Sequence, residues 1–553
     1  MTANNSGHDT IQPVHESTEP TQKNGGQVSK FLDRIDSDEF NRDFTFEEEK
    51  QVLRRIDMRV LPILLGAYFF QQLDKSSLSY VSIFGLVEDA HLVGQQYSWL
   101  GSILYLAQLV MQPLAAVLLV KAPTGKVIGT AVFLWGSSLA IMATCTDFKS
   151  LLGLRFALGA FESMIAPSCI AVTQMWWRRS EQTLRAALWN GMNGVTFIVS
   201  LSNEENQAVG SLLTYGLGHI HSDTLFSYQI IFLFCGLATV LFSGFVFLLP
   251  DSPMEAKSFS DRERFIAVQR LRANQMGIVS REWRWDHVWE LLYDLKTWGW
   301  FFLIIAISIP SGGIGTFGSL IVKSFGYTNF QSILFNLPFG AIQIVSILGG
   351  GWLATRFKMK GLVIVLFATL SAVGTIIMLV VPRDQKGVLL FGYYLVSTLA
   401  AITPLIYAWE AQNTAGDTKR KSTSAVVLVG MCTGNVIILK PSVVGPQLYS
   451  TSQAPEYRPG LIANLIMFVS VAFLAILMDV YLLFLNKRHA RQREAVGKSS
   501  VVIDESMMTK NKLNTNKALE LEDVNERSDQ NTRVDNGFSD MTDLRNEDFI
   551  YVY

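Results

Sequence analysis

Long apolar stretches recur along most of the chain and are separated by short polar segments. A helix that crosses the hydrocarbon core of a bilayer needs about 20 mainly apolar residues. Twelve stretches meet that requirement, at residues 59–81, 98–120, 126–145, 151–177, 185–216, 226–249, 298–322, 330–354, 361–381, 387–411, 422–448 and 461–485. The pattern therefore predicts an all-α integral membrane protein with twelve transmembrane helices, called spans 1 to 12 below.

A long charged segment divides the spans into two sets of six. We predict a tail at 1–43, an N-terminal six-helix bundle at 44–250, a linker with a short helix at 251–297, a C-terminal six-helix bundle at 298–486 and a second tail at 487–553. Residues 1–43 and 496–553 are polar and are expected to be disordered. Two bundles joined by a linker are typical of transporters whose substrate site lies between the bundles.

Basic residues cluster in alternate loops, for example at Arg178-Arg179, at Lys419-Arg420-Lys421 and at Lys487-Arg488. Loops rich in lysine and arginine usually remain on the cytoplasmic side of a membrane. Both tails and the linker are therefore expected to be cytoplasmic. We expect the plasma membrane as the location, because no endosomal or vacuolar sorting motif stands out.

Composition narrows the classes of function. Only 17% of the 553 residues are charged, against about a quarter in soluble domains. The net charge of −1 suggests no nucleic acid partner, and the four scattered cysteines indicate neither a disulfide framework nor a metal site. The spans carry no motif of the Gly-x-Ser-x-Gly or His-Glu-x-x-His kind, so an enzyme is not expected and no catalytic residue is assigned.

Span 4 contains two charges, Arg155 and Glu162, within an apolar run. One buried charge costs at least about 2.5–3.5 kcal/mol, so a pair in one span suggests a site for an ion or a substrate. Seven residues make nearly two turns, which places both side chains on one helix face with Gly159 between them, where it is expected to open space. The alternative is a charge pair that only holds neighbouring helices together.

Several short motifs occur in order along the spans. They are Gln72-Leu-Asp74-Lys75-Ser-Ser-Leu-Ser, Gln96-Tyr-Ser-Trp99, Arg155-x-x-x-Gly159-x-x-Glu162, Trp189-Asn-Gly-Met-Asn193-Gly, Pro250-Asp-Ser-Pro253 and Asn413-x-x-Gly416-x-Thr418-Lys-Arg420. With these motifs the chain resembles the major facilitator superfamily, in particular the anion:cation symporter family and its fungal allantoate permease-like branch. The resemblance covers residues 44–490. It implies the major facilitator fold, with twelve transmembrane helices in two six-helix bundles.

The same resemblance implies proton-coupled import of a small organic carboxylate, such as allantoate, ureidosuccinate or nicotinate, by alternating access. It suggests that Asp74 and Glu162 carry protons, whereas Arg155 and Lys75 are candidates for binding the anion. Many family members resemble an Asp-Arg pattern in span 1, so Lys75 is a departure. A structural ion pair is the alternative for Asp74, and a salt bridge from Lys75 or Arg155 to a carboxylate is a hypothesis about gating.

Neutral and charged groups elsewhere complete the predicted site. Asn190, Asn193 and Asn413 could hydrogen-bond a polar part of the substrate, although buried amides in span 5 also hold helices together. Glu410 is interpreted as a solvated or gate-closing partner of Lys419 and Arg420.

Two inserts interrupt the resemblance, at residues 200–209 in span 5 and at 438–443 in span 11. Each is either a gene-model error or a real break in a helix that lines the cavity. For the whole chain we expect a functional monomer in a lipid bilayer with no cofactor or metal and with the proton as coupling ion. A nutrient sensor that does not transport is the alternative.

Overall fold

The computed structural model describes residues 44–83, 86–93, 96–199, 225–272, 274, 282–327, 335–439, 456–498, 506 and 540–553. These residues form helices joined by turns, and no strand occurs among them. The tail at 1–43, the insert at 200–209 and residues 440–443 of the second insert lie outside the described residues.

The described residues of the first half of the chain form nine helices. They are α1 (Phe46–Arg59), α2 (Leu61–Ile83), α3 (Leu86–Asp89), α4 (Gln96–Lys121), α5 (Thr124–Met142), α6 (Phe148–Glu162), α7 (Ile165–Trp176), α8 (Arg179–Val199) and α9 (Ser227–Val246). The linker between the two bundles contains α10 (Asp261–Arg272) and α11 (Trp285–Tyr293).

In the second half, the part that the structure describes contains seven further helices and a 3₁₀ turn. They are α12 (Leu295–Ser324), α13 (Asn336–Phe357), α14 (Lys360–Val380), α15 (Lys386–Val396), the 3₁₀ turn Ser397–Ala401, α16 (Ile402–Gln412), α17 (Asp417–Leu439) and α18 (Arg458–Ala495). The two bundles contact each other where α8 packs along α13 and where α4 packs along α17.

Within the described residues each predicted span overlaps helix, and the fold class agrees with the prediction. Within the described residues, nine helical segments are long and apolar enough to cross a membrane. The spans formed by α2, α8 and α17 are not among those nine. In α2 and α8, polar and charged residues lower the mean hydropathy. These three helices carry several of the predicted site residues.

Span 4 is not the single continuous helix that its apolar run predicted. It divides at Ser163 and Met164, directly after Glu162, into α6 and α7. Pro167 explains the break, because proline has no N–H to donate to the carbonyl four residues earlier and its ring clashes with that group. The freed carbonyl of Ser163 accepts a hydrogen bond from Gln112 Nε2 at 3.1 Å. Glu162 therefore lies at a helix end in the middle of the span.

Gly159 lies where α6 packs closely against α4. A Cβ atom at this position would lie 2.6 Å from the carbonyl oxygen of Leu104 and 3.0 Å from Cβ of Ala107. The glycine therefore permits close helix contact, whereas the sequence had suggested that it opens space.

We expect the Gly159→Val variant to lose about 1–3 kcal/mol of stability, because the added atoms would force α4 and α6 apart. Thermal unfolding of detergent-purified protein measures the change. Gly153→Val is the matched control on the same helix, since a Cβ at Gly153 meets no atom within 4 Å. Equal unfolding temperatures for the two variants would contradict the close contact.

One end of the molecule holds α1, the linker helices and residues 540–553, and we call it the termini face. There Arg270 of α10 is fully buried and forms ion pairs with Glu49 at 3.2 Å and Glu181 at 2.6 Å. These contacts fix the linker to the N-terminal bundle. A capping box begins α10, with Glu263 N–H donating to Ser260 Oγ and Ser260 N–H donating to the Glu263 carboxylate.

The expectation of disorder throughout 496–553 is wrong for residues 540–553. Asp543 and Phe549 are fully buried, and Tyr551 is 1% exposed. Five apolar and aromatic residues, Phe549 to Tyr553, end an otherwise polar tail and can be buried against the bundle. The sequence analysis did not predict this short apolar segment, because the average composition of residues 496–553 is polar.

Candidate functional site

An ion pair between spans 1 and 4 lies at the centre of the site. Lys75 Nζ of α2 lies 3.3 Å from Glu162 Oε1 of α6, with the lysine side chain 19% exposed and the glutamate fully buried. Gln71, one turn before Lys75, donates from Nε2 to Glu162 Oε1 at 3.0 Å. The second oxygen, Oε2, is buried without a hydrogen-bond partner. Lys75 and Gln71 therefore hold Oε1 of Glu162, whereas neither of them holds Oε2.

Asp74 points to a different neighbour, as the helical angle of about 100° between adjacent residues requires. Its Oδ2 accepts a hydrogen bond from Trp135 Nε1 of α5 at 2.9 Å, and its Oδ1 accepts one from Ser77 Oγ at 3.3 Å. The side chain is 1% exposed. Span 1 thus presents one carboxylate to span 3 and one ammonium group to span 4.

Arg155 is buried, and among the described residues it has no close ionic partner. It is 1% exposed, and no described residue forms a hydrogen bond with its Nε or Nη2 atom. Its guanidinium carbon lies 5.8 Å from the ring centroid of Phe232 in α9. Asp74 and Glu162 are the carboxylates that act on it electrostatically, but among the described residues neither comes within 4 Å. Buried donors of this kind are costly unless another group satisfies them.

Aromatic side chains line the boundary between the bundles near this charge cluster. Tyr68 of α2 and Trp189 of α8 form an edge-to-face pair with ring centroids 4.9 Å apart, and Trp189 stacks on Tyr407 of α16 at 6.4 Å. On the opposite side of the boundary, Cys432 of α17 contacts Gln108 Oε1 of α4 at 3.6 Å. Side chains from both bundles therefore surround the site.

The span 5 asparagines lie beside this aromatic layer. Asn190 is 1% exposed, accepts a hydrogen bond from Tyr68 Oη at 3.2 Å and donates to the carbonyl of Ala186 at 3.0 Å. Asn193, which is partly exposed, also lies near the Tyr68 hydroxyl. Asn190 thus joins spans 1 and 5 in this conformation, and the substrate-binding role of both residues stays a prediction.

Asn413 lies away from the charge cluster, at the termini face. Its Oδ1 accepts from the backbone N–H of Val552 at 2.7 Å, and its Nδ2 donates to the carbonyls of Val552 and Trp409, each at 2.9 Å. The structure therefore does not bring Asn413 together with Lys75, Arg155 and Glu162. Its predicted contact with substrate stays a prediction.

The predicted contact of Glu410 with Lys419 and Arg420 is not formed. Glu410 is fully buried rather than solvated, and its carboxylate accepts from Ser424 Oγ at 3.2 Å. Lys419 instead pairs with carboxylates of the linker and of the last segment, Glu290, Asp294 and Asp543, at 2.8–2.9 Å. Arg420 pairs with Asp417 at 3.3 Å. Spacing along the chain could not reveal the partners of Lys419, because they come from distant segments.

Contacts between the bundles close the termini face. Gln174 Nε2 of α7 donates to the carbonyl of Ala411 at 3.0 Å, and Gln412 Nε2 of α16 donates to Thr183 Oγ1 at 3.0 Å. Arg179 donates to the carbonyl of Gln412, whose Nε2 donates back to the carbonyl of Arg179 at 2.7 Å. These contacts hold α7 and α8 of one bundle against α16 of the other.

Sequence reasoning missed Gln71, Tyr68 and Trp135 as partners of the charged groups. Gln71 was detectable, because a second glutamine one turn before Lys75 is unusual in an apolar span. Nothing in the sequence distinguished Trp135, since a tryptophan within span 3 is usually interpreted as a packing residue. Its indole N–H becomes informative only when Asp74 is found opposite.

The chain is similar in sequence to known transporters. A family model described as Major Facilitator Superfamily matches residues 64–439. An uncharacterized transporter of Schizosaccharomyces pombe is 34% identical, over 81% of this chain and 83% of its own. In Saccharomyces cerevisiae, a thiamine pathway transporter is 30% identical over 94% of this chain and 90% of its own, and an allantoate permease is 30% identical over 82% of each.

The fold is also similar to solved structures. A proton:xylose symporter bound to 6-bromo-6-deoxy-D-glucose superposes with a TM-score of 0.58 over 78% of this chain and 96% of its own, at 11% sequence identity. At that identity the likeness concerns the fold alone.

Proposed function

The chain belongs to the major facilitator superfamily, and from that premise we propose that it imports a small organic carboxylate together with a proton by alternating access. The family makes it a multi-pass membrane transporter and not an enzyme. The proposal adds to this the class of the substrate and the identity of the coupling ion.

The observation that carries the proposal is the buried guanidinium of Arg155, whose Nε and Nη2 have no hydrogen-bond partner in the part of the chain that the structure describes. Its free Nε and Nη2 groups form the planar fork that binds both oxygens of a carboxylate. A carboxylate bound there would satisfy two buried donors at once and would lie near the Lys75–Glu162 pair. The allantoate permease among the relatives supports this class, because allantoate is a carboxylate.

Charge balance supports coupling to a proton. The site holds two acidic groups, Asp74 and Glu162, and two basic groups, Lys75 and Arg155, so its formal charge sums to zero. A monoanion alone would add a buried net charge of −1, and a proton alone would add +1, each of which is costly in a region of low dielectric constant. Entry of both restores neutrality, so binding of the one favours binding of the other.

Glu162 is the proposed proton acceptor. Its Oε2 is free to take a proton, and a neutral Glu162 would no longer attract Lys75. The ammonium group, which is already partly exposed, could then turn toward a substrate held by Arg155. Asp74 is the second predicted proton carrier, and it accepts hydrogen bonds from Trp135 and Ser77.

The closed termini face supports alternating access. We assign this face to the cytoplasm from the basic loops, with the protein acting as a monomer in the plasma membrane and without a cofactor. Substrate would enter from outside while the contacts among Gln174, Arg179 and Gln412 hold the cytoplasmic side shut. Separation of α7 and α8 from α16 would then open the inner side.

Uptake of labelled carboxylates tests the proposal. Cells that express the chain are expected to accumulate at least one monocarboxylate, faster at external pH 5 than at pH 7.5, with accumulation abolished by a protonophore. Matched neutral amides of the same compounds should not accumulate, since they cannot use the guanidinium fork. Accumulation that is independent of external pH would refute proton coupling. If no carboxylate accumulated although the protein reached the membrane, the sensor interpretation would replace the proposal.

A further inference from the structure

The last segment of the sequence, residues 540–553, lies in a groove of the termini face. Groups from the linker, from α14, α16, α17 and α18, and from α8 contact it. These contacts run from Asp540, which accepts hydrogen bonds from Arg284 and from the N–H of Asp417, to Tyr553, whose backbone oxygen accepts from the N–H of Lys360. A short peptide that is engaged along its whole length is held specifically.

A buried carboxylate anchors the first half of the segment. Asp543 is fully buried and pairs with Lys296 Nζ at 2.6 Å and with Lys419 Nζ at 2.9 Å, and it accepts a hydrogen bond from Tyr551 Oη at 3.0 Å. Burial would raise the pKa of Asp543, but the two lysines outweigh burial and lower this pKa below its usual range. The carboxylate therefore stays charged at neutral pH. Two buried lysines in turn require such a partner.

Side-chain amides bind the backbone of the second half. Asn413 pairs with both the N–H and the carbonyl of Val552, at 2.7 and 2.9 Å, and Asn486 pairs in the same way with Tyr551, at 2.8 Å each. The carbonyl oxygen of Tyr553 accepts from the N–H of Lys360, at the start of α14, at 2.8 Å. The groove thus recognises an extended strand of peptide.

Arg179 connects the segment to the other bundle. Its Nη1 donates to the carbonyl of Ile550 at 3.0 Å, and its guanidinium carbon lies 4.4 Å from the ring centroid of Phe549. The same side chain donates to the carbonyl of Gln412 in the closed contact between the bundles. The segment is thus held mainly by the linker and the C-terminal bundle, and it reaches the N-terminal bundle through Arg179.

We propose that this groove is a binding site for residues 540–553 of the same chain, and that the bound segment is a latch that keeps the termini face closed. Opening requires Arg179 to move away with α8, and the latch adds a charged hydrogen bond and an aromatic contact that must break first. The proposal rests on alternating access in the family but not on the identity of the substrate or of the coupling ion.

Labelling of an introduced cysteine tests the latch. Thr183→Cys places a thiol in the contact between the bundles, in a Cys145→Ala background, since the other three native cysteines are buried. In purified protein in nanodiscs, truncation after residue 539 is expected to raise the rate of maleimide labelling about 10-fold, as loss of one charged hydrogen bond predicts. Arg545→Ala is the control within the segment, because Arg545 is half exposed and contacts only the linker through ion pairs.

A peptide added in trans makes the test specific. The synthetic peptide of residues 540–553 is expected to slow labelling of the truncated protein to the parent rate, whereas the same peptide with Asp543→Lys is not. Unchanged labelling after truncation, or no effect of the parent peptide, would overturn the proposal. If the truncated protein failed to fold, the Phe549→Ala variant of the full chain would replace it. Its rate of maleimide labelling is expected to exceed that of the parent.

Discussion

Replacing Arg155 by glutamine is expected to lower carboxylate uptake about 100-fold, because a bidentate charged contact contributes about 3 kcal/mol. The glutamine side chain is two atoms shorter and offers one donor group and no charge. Arg155→Lys should retain more activity, since it keeps the charge and loses only the planar fork. The loss should appear mainly in KM, because the residue binds the anion before the bundles move.

The measurement is initial uptake of the best carboxylate from the panel, normalised to protein at the membrane. Lys323→Gln is the matched control, because this cation lies exposed near the end of α12 and also loses one charge. If Arg155→Gln transported like the parent at equal abundance, Arg155 would not be the anion site, and its burial would need a structural explanation.

Replacing Glu162 by glutamine is expected to abolish concentrative uptake while exchange of substrate across the membrane continues. Glutamine has nearly the same shape as a protonated glutamate, so the variant mimics the loaded state and leaves Lys75 without its ionic partner. It cannot release a proton. We expect at least a 10-fold fall in accumulation and loss of its dependence on external pH, a factor that corresponds to about 1.4 kcal/mol of coupling.

Counterflow in vesicles preloaded with unlabelled substrate separates coupling from folding. A variant that lost only its structure would lose exchange as well, and Glu47→Gln, a change at an exposed glutamate of α1, controls for a general effect of charge. If Glu162→Gln still showed concentrative uptake with the pH profile of the parent, Glu162 would not be the proton acceptor. Asp74 would then be the next candidate.

The fold was predictable from sequence because membrane helices are encoded locally. Each span needs only its own run of apolar residues, and hydropathy along the chain reports that run directly. The Arg155–Glu162 motif was predictable for a related reason, since charges in an apolar run are rare and therefore informative. The ion pair between Lys75 and Glu162 agrees with the proposed neutralisation of one acid by one base.

The parts that sequence did not predict depend on contacts between distant segments. Lys419 pairs with Glu290, Asp294 and Asp543, whereas the sequence had predicted Glu410 as its partner. Asp543 is one carboxylate among many in a polar tail, and only the arrangement of Lys296, Lys419 and Tyr551 distinguishes it. The break in span 4 could have been predicted from Pro167. It was not, because the continuous apolar run around the proline was interpreted as one helix.

Burial of the last residues has a practical consequence for localisation studies. A fluorescent protein fused after Tyr553 would have to leave through the groove in which Tyr551 and Val552 lie, beside the N–H of Lys360 that holds the backbone oxygen of Tyr553. Such a fusion would itself act on the transporter, and its brightness or location would report a perturbed molecule. A reporter placed before residue 44 leaves the groove intact.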